Sequence, residues 1–220
     1  FVRRASQDAT ALELDAQSTE RLYVTEVMGR DCGELTFGTF RHSRASMALI
    51  PETPFNIEKL IEHIAGMNDP RGLLLVAEGA EDQDLMWRHA ADIIIFREAL
   101  ASGGIIPQGL IDQHFPLPQI DAFGNVKKGG IADMVTFELQ QNLPQKIPIV
   151  RMPDLGYQYR SMDPLKADLD LAEMFAKEAV SLLLRGKRGR MVAMQNGRIS
   201  SLPLADVVGK KRSLQRESYR

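Results

Sequence analysis

The 220-residue chain is predicted to fold as an α/β domain, in which helices flank a mostly parallel sheet. Two observations lead to this prediction. Segments with strand composition alternate with segments of helical periodicity through most of the chain, an order typical of parallel sheets. One strand, "GLLLVAEGA" (72–80), begins as a continuous apolar run, as strands covered by helices on both faces do.

The composition is that of a globular protein, with 44% apolar and 25% charged residues and a formal net charge of -2. This near-neutral balance argues against a protein that coats nucleic acid. The longest apolar runs, such as "AVSLLL", are far shorter than the ~20 residues that span a bilayer, so no membrane partner is expected. Cys32 is the only cysteine, which excludes an internal disulfide and fits a reducing compartment. We therefore expect a cytoplasmic protein, with Cys32 a small buried hydrophobe.

The first half of the chain contains three predicted strands and two predicted helices. "RLYVTEV" (21–27) is rich in β-branched and aromatic residues, and the residues that follow it indicate a turn and a helix. "MALIP" (47–51) is a short strand that Pro51 ends. In "NIEKLIEHIAGMN" (56–68), isoleucine and leucine recur at helical spacing behind a capping asparagine, and the strand 72–80 follows.

The second half begins with a predicted helix from 82 to about 101. Three prolines and little periodicity in 104–126 predict a long loop or insertion. A helix near 130–142 and the strand "KIPIVRM" (146–152) follow.

A long helix is predicted over about 164–185, with a strand over 189–195 and a hairpin turn at Asn196-Gly197. We expect one domain over 1–209, with an insertion at about 81–121, and a polar tail over 210–220.

Polar residues follow three of the predicted strands: Met28-Gly29-Arg30, Glu78-Gly79, and the stretch from Arg151 to Arg160. In open parallel sheets ligands gather outside the carboxyl ends of the strands, so these clusters are expected to form one site. Arg30 is expected at a helix N-terminus, where backbone N–H groups already favour an anion. Arginines for a phosphate and one glutamate for hydroxyls suit a sugar phosphate. The alternative is that these are ordinary surface arginines.

Six motifs occur in a recognisable order. They are "VTEVMGRDCGELT", "LIPETPF", "LLLVAEGA", "DAFGNVKKGG", "VRMPDLGYQYRS" and "GRMVAMQNG". Over about residues 15 to 200, this set resembles the later, sugar-binding half of the phosphofructokinase family. The resemblance implies a phosphofructokinase-like fold. It also implies a part in phosphorylating fructose 6-phosphate to fructose 1,6-bisphosphate in glycolysis.

The resemblance also implies roles for individual residues. The residues expected to bind fructose 6-phosphate within this chain are Met28, Gly29, Arg30, Glu78, Tyr157 and Arg160. Arg21 and Arg151 match arginines that reach the sugar-phosphate site of a neighbouring subunit, so a homo-oligomer, dimer or tetramer, is expected.

The chain departs from the family pattern at three places. Tyr157 replaces the histidine of many ATP-dependent members, and "YRSM" replaces "QRGG". Ser46 stands where allosterically regulated bacterial members carry an acidic residue, which puts the effector site in doubt.

The family's donor-site motifs, "GGDxPG" and "TIDND", do not occur in the chain. Because phosphoryl transfer needs donor, metal and nucleophile together, this chain alone is expected to bind the sugar and catalyse nothing. The catalytic base, and Mg2+ with ATP or pyrophosphate, are expected in a preceding half, which makes the chain a fragment. No metal site is expected in the chain itself. ATP is favoured as donor. The alternatives are a pyrophosphate-dependent enzyme and a non-catalytic sugar-phosphate-binding subunit.

Overall fold

A computed structural model describes residues 1–82, 130–143, 145–210 and 213–214. The chain divides into two compact units, Phe1–Arg160 with Ser213–Arg220, and Ser161–Arg212. The first unit contains every predicted site residue. Apart from Asp82, the predicted helix from 82 to about 101 and the predicted loop 104–126 lie outside the described residues. The single domain over 1–209 stays a prediction.

The described strands of the first unit form one four-stranded sheet. They are β1 (Leu22–Val27), β2 (Met47–Leu49), β3 (Gly72–Ala77) and β4 (Ile149–Arg151). Their order is β2-β3-β1-β4, and all three pairs are parallel. Leu22 lies opposite Gly72 on one side and Ile149 on the other, so β1 is the inner strand beside β4. The predicted parallel sheet is confirmed.

Helices cover both faces of this sheet. They are α1 (Val2–Ser18), α2 (Glu34–Arg41), α3 (Ile57–Gly66), α4 (Ile131–Asn142) and the short α5 (Tyr157–Arg160). Ile64 of α3 and Leu139 of α4 are buried in one core cluster with Leu74. Ala5 and Ala9 of α1 are buried in the other cluster with Leu75. Each of the six residues of β3 is buried, which explains its apolar sequence.

Helix α1, like the short α5, is an element of the first unit that the sequence patterns did not predict. Its buried face is formed by small or polar residues. They are Ala5, Ser6, Ala9, Glu13 and Ala16. Such a face lacks the stripe of large apolar residues by which an amphipathic helix is detected. α3, in contrast, was predicted from the sequence. Its predicted asparagine cap is confirmed, because the Asn56 side chain accepts a hydrogen bond from the Lys59 N–H at 2.9 Å.

Glu13 of α1 connects the helix to the sheet. Its carboxylate is 2% exposed and accepts hydrogen bonds from the Leu73 backbone N–H at 2.6 Å and the Ser46 hydroxyl at 3.0 Å. Gly72 has φ +146°, and a Cβ atom there would lie 2.1 Å from Ser46 Oγ. Only glycine fits this close approach. Ser46 occupies the position that put the effector site in doubt. Its hydroxyl is hydrogen-bonded to Glu13 inside the fold.

The second unit contains α6 (Lys166–Leu184) and two antiparallel strands, β5 (Arg190–Gln195) and β6 (Arg198–Pro203). Asn196 and Gly197 between them both have positive φ, +48° and +74°, as a tight hairpin turn requires. The predicted hairpin is confirmed. A short 3-10 helix, Leu204–Asp206, follows. Among the described residues of the chain, no helix has the length and apolarity needed to cross a membrane.

Replacing Glu13 by alanine is expected to destabilise the first unit. The buried Leu73 N–H and the Ser46 hydroxyl would lose their acceptor, and each unsatisfied buried group costs roughly 1–3 kcal/mol. Urea unfolding should show a loss of about 2 kcal/mol or more. Glu62→Ala, on the exposed side of α3, is the matched control and should stay close to the wild type. Equal stability of the two variants would contradict this account of Glu13.

Candidate functional site

Three turns meet at the carboxyl edge of the parallel sheet, and backbone hydrogen bonds join them. The turn after β3 is bonded to the turn after β1, because the Glu78 N–H donates to the Val27 carbonyl at 2.9 Å and the Gly79 N–H to the Gly29 carbonyl at 3.2 Å. After β4, the Leu155 N–H donates to the Glu26 carbonyl at 2.8 Å. The structure therefore brings the three predicted clusters together.

Glycines allow these turns to approach so closely. A Cβ atom on Gly79 would lie 1.9 Å from the Arg30 carbonyl oxygen, which is backbone and cannot swing away. On Gly156, a Cβ atom would lie 3.0 Å from Cγ of Met28. A side chain at Gly79 is excluded sterically, so the turn containing Arg30 packs on the turn containing Glu78.

The predicted position of Arg30 at a helix N-terminus is wrong. α2 begins at Glu34 with Gly33 as its N-cap, three residues beyond Arg30. The Gly33 N–H donates to both carboxylate oxygens of Glu52 at 3.0 Å, so the anion at this helix end is a side chain of the protein itself. Arg30 instead lies in the bend before the helix. Its side chain is 37% exposed, with Nε 3.8 Å from the Asp31 carboxylate.

Glu52 also accepts a hydrogen bond from the Leu214 N–H at 2.9 Å. Burial raises the pKa of Glu52, but the hydrogen bonds from Leu214 and Gly33 outweigh it, and the pKa lies below its usual value. Burial raises the pKa of neighbouring Cys32, which is partly buried. A raised pKa favours the neutral thiol over the nucleophilic thiolate, and Cys32 is only partly buried, not fully buried as the sequence led us to expect.

The turn after β4 presents Tyr157 and Arg160 to solvent. Tyr157 is 77% exposed, and the Arg160 guanidinium carbon lies 5.6 Å from the centre of its ring, within cation–π range. Between them, the buried Tyr159 donates its hydroxyl hydrogen to Asp8 of α1 at 2.6 Å. Burial and this bond to Asp8 raise the pKa of Tyr159 to about 12. α1 thus fixes the turn that carries the two exposed residues.

Arg21 lies at the other edge of the sheet. It precedes the first residue of β1, seven residues before Met28, which corresponds to about 23 Å along an extended strand. Its side chain therefore cannot join Met28, Gly29 and Arg30 in the site of its own chain. This separation is compatible with the expected role in a neighbouring subunit, which stays a prediction.

Arg151 is also withdrawn from the carboxyl edge. It pairs with Val24, in the middle of β1, and its side chain is only 22% exposed. The guanidinium is bonded within the chain, with Nε 3.0 Å from Asp133 Oδ1 and Nη2 2.6 Å from Asp154 Oδ1. The structure does not extend Arg151 towards solvent, which the sequence alone could not foresee.

Glu26 is a buried carboxylate that sequence reasoning missed. It is 6% exposed, and Oε2 accepts hydrogen bonds from the Gly130 N–H at 2.9 Å and the Ala132 N–H at 3.2 Å, at the N-terminus of α4. Burial is the main cause that raises its pKa to about 7. The charge of Asp154 adds to the rise, whereas the two hydrogen bonds and Arg151 oppose it. A lone charged residue within the run "YVTEV" was the available signal.

Within the described residues, no three histidine, cysteine or acidic side chains come close enough together to hold a metal ion. The arrangement offers cations, backbone groups and the Glu78 carboxylate, which can bind an anion that carries hydroxyl groups.

Comparison with known proteins agrees with this architecture. The phosphofructokinase family model matches residues 2–183, so the chain belongs to the phosphofructokinase family. It is 30% identical to the ATP-dependent 6-phosphofructokinase of Mycobacterium bovis over 218 residues, 98% of this chain and 55% of that protein. It is 26% identical to the pyrophosphate–fructose 6-phosphate 1-phosphotransferase of Amycolatopsis methanolica, over 99% of this chain and 56% of that protein.

The fold is likewise similar to that of solved phosphofructokinase structures. The pyrophosphate-dependent phosphofructokinase of Marinobacter aquaeolei superposes with a TM-score of 0.63 at 16% identity, over 98% of this chain and 48% of that one. This confirms the predicted phosphofructokinase-like fold. The chain spans about half the length of the relatives it matches.

The raised pKa of Glu26 predicts a specific dependence of stability on pH. Between pH 4.5 and about 7 the folded chain keeps the Glu26 proton while the unfolded chain loses it, so the free energy of unfolding falls as pH rises. Glu26→Gln removes the titrating carboxyl group, and with it this pH dependence, but keeps an acceptor oxygen for the α4 N–H groups. From pH 5 to 8, the wild type should lose about 2 to 3 kcal/mol relative to Glu26→Gln.

Urea unfolding at pH 5, 6, 7 and 8 measures this difference. Glu62→Gln is the control, because Glu62 is exposed and its replacement should follow the wild type at every pH. A difference between wild type and Glu26→Gln that stays constant with pH would refute the assigned shift.

Proposed function

We propose that this chain is the sugar-phosphate-binding half of a 6-phosphofructokinase that converts fructose 6-phosphate to fructose 1,6-bisphosphate in glycolysis. The observation that carries the proposal is the meeting of three turns at one sheet edge, in a chain of the phosphofructokinase family. Each turn contributes residues that can bind part of a sugar phosphate. A cytoplasmic location belongs to the same proposal, as the single cysteine led us to expect.

The proposed contacts follow from the chemistry of each turn. Arg30 and Arg160 bind the phosphate, because a guanidinium matches two phosphate oxygens at once. Glu78, partly exposed after β3, accepts hydrogen bonds from the sugar hydroxyls. Tyr157 is exposed and donates its phenolic hydrogen to the phosphate. Met28 and Gly29 form the floor, and the lack of a side chain on Gly29 keeps the turn tight, because a Cβ atom there would lie 3.0 Å from the Cys32 carbonyl oxygen.

The phosphoryl donor and its metal are assigned to another part of a longer protein. Phosphoryl transfer needs donor, Mg2+ and catalytic base held together with the acceptor, and the chain spans about half the length of its relatives. We propose ATP as the donor. Pyrophosphate is the alternative, because relatives of both kinds resemble the chain.

A non-catalytic subunit that binds sugar phosphate is a second candidate function, because the three turns at the sheet edge account for binding of the sugar phosphate without any further group. The two candidates differ in one measurement. A longer natural protein that contains this chain should form fructose 1,6-bisphosphate from Mg2+ with ATP or pyrophosphate if it is the kinase, and should form none if it is the subunit.

Calorimetric titration with fructose 6-phosphate tests the binding site. Arg30→Ala and Arg160→Ala should each weaken binding roughly tenfold or more, since each removes charged hydrogen bonds to the phosphate. Arg44→Ala is the matched control. Arg44 is exposed and precedes β2, at the opposite edge of the sheet, so its replacement should leave binding unchanged. No binding by the wild type, or equal binding by all four proteins, would overturn the proposed function.

We further propose a homo-oligomer in which Arg21 and Arg151 serve the site of a neighbouring subunit. If so, Arg151→Ala and Glu78→Ala chains should complement each other when mixed. A mixed dimer has one site that carries both changes and one site that is intact. Fructose 6-phosphate should then bind to the mixture more tightly than to either variant alone. No gain after subunit exchange, verified by mass spectrometry, would contradict the shared site.

A further inference from the structure

All three nitrogens of the Arg151 guanidinium already donate hydrogen bonds within the chain. Nε donates to Asp133 at 3.0 Å and Nη2 to Asp154 at 2.6 Å, while Nη1 donates to the carbonyl of Met152. A guanidinium binds a phosphate through two parallel N–H groups on neighbouring nitrogens. The neighbouring pair Nε and Nη2 is the one that the two aspartates use, so a phosphate that binds through this pair must displace at least one carboxylate.

The acceptors come from two different elements and carry more negative charge than Arg151 can neutralise. Asp133 is in the first turn of α4, and Asp154 follows β4. Glu26 of β1, beside the N-terminus of α4, is a third carboxyl group near Arg151 and Asp154, and it adds negative charge when it is ionised, above a pH of about 7. A free phosphate dianion would be repelled by this cluster as long as Asp133 and Asp154 hold the guanidinium.

Both aspartates are open enough to exchange partners. The side chain of Asp154 is 59% exposed and that of Asp133 is 36% exposed, whereas Arg151 is 22% exposed. Water can replace Arg151 as the partner of each aspartate at small cost, because exposed ion pairs are weak. A bidentate contact with a dianion is stronger than either pair. The free-energy difference between Arg151 paired with the aspartates and Arg151 bound to a phosphate is therefore small enough for a ligand to shift the equilibrium.

We infer that Asp133 and Asp154 are positioning residues that hold Arg151 inside its own chain and compete with the phosphate of the sugar ligand for it. This inference rests on the proposed function. It adds that the two aspartates lower the affinity for the sugar phosphate. Because Asp133 begins α4, release of Arg151 also frees a contact that holds the first turn of that helix against β4. Removing either carboxylate charge should thus favour the ligand-bound state.

Titration of fructose 6-phosphate into four forms of the chain tests the inference: wild type, Asp154→Asn, Arg151→Ala and the double variant. Asparagine keeps an acceptor oxygen but loses the charge. Asp154→Asn should bind about three- to tenfold more tightly than the wild type. In the Arg151→Ala background, the same substitution should have no effect, because the aspartate then has no guanidinium to hold. Asp133→Asn is a second variant with the same expected direction, and circular dichroism checks the folding of each.

The outcomes separate this inference from the proposed function. If the wild type binds and Asp154→Asn binds no more tightly, the competition is refuted while the proposed function stands. Equal tightening in the presence and absence of Arg151 also refutes it, because the effect is then general repulsion of the ligand. If no form binds fructose 6-phosphate, the proposed function fails and this inference fails with it.

A second measurement reports on Arg151 itself, without the sugar. The Nε–H resonance of Arg151, assigned by its loss in Arg151→Ala, should exchange slowly with water in the wild type and markedly faster in Asp133→Asn. Equal exchange rates in the two proteins would show that Asp133 does not hold the guanidinium, and would overturn the inference whatever the binding data.

Discussion

The position of β1 between β3 and β4 is the constraint on which the candidate site depends. Parallel strands that are bonded in register end at the same edge, so the chain leaves the sheet at neighbouring points after Val27 and Ala77, while the segment after β4 continues to Leu155, which lies opposite Val27. The hydrogen bonds then continue beyond the strands into the turns, from Gly79 to Gly29 among others. The rigidity of the site therefore comes from backbone pairing, and its chemistry comes from the few side chains that the turns expose.

Several charged groups in this region are paired within the protein itself, without a ligand. Glu52 satisfies the N-terminus of α2, Glu26 satisfies the N-terminus of α4, and Asp133 with Asp154 neutralises Arg151. Helix N-termini and arginines are the features that indicate an anion-binding site in a sequence. Arg160, in contrast, is exposed and lies over the ring of Tyr157, a cation–π contact that leaves its charge accessible to solvent. The same helix dipoles that attract a phosphate also attract the protein's own carboxylates.

The sequence predicted the sheet, α3, α4, the hairpin and the meeting of the three turns, because each depends on local periodicity or on the geometry of parallel strands. It failed for α1, whose buried alanines leave no apolar stripe, and for the start of α2. It also gave no sign of the bond between Asp8 and Tyr159, whose residues are 151 positions apart. Contacts of that kind depend on the packed structure, and single-sequence patterns carry no information about them.

The bond between Asp8 and Tyr159 has a consequence for shortened forms of the protein. A chain trimmed to begin at Arg21, just before β1, would keep the motifs quoted for the family and every predicted ligand of the sugar phosphate. It would lose Phe1, whose ring packs edge-on against Tyr159 at 5.3 Å, and it would lose the acceptor of the Tyr159 hydroxyl. The face of β3 that carries Leu73 and Leu75 would also lose its packing against Ala5 and Ala9. Motif content alone therefore does not show that the fold uses α1, a helix without any sequence signature.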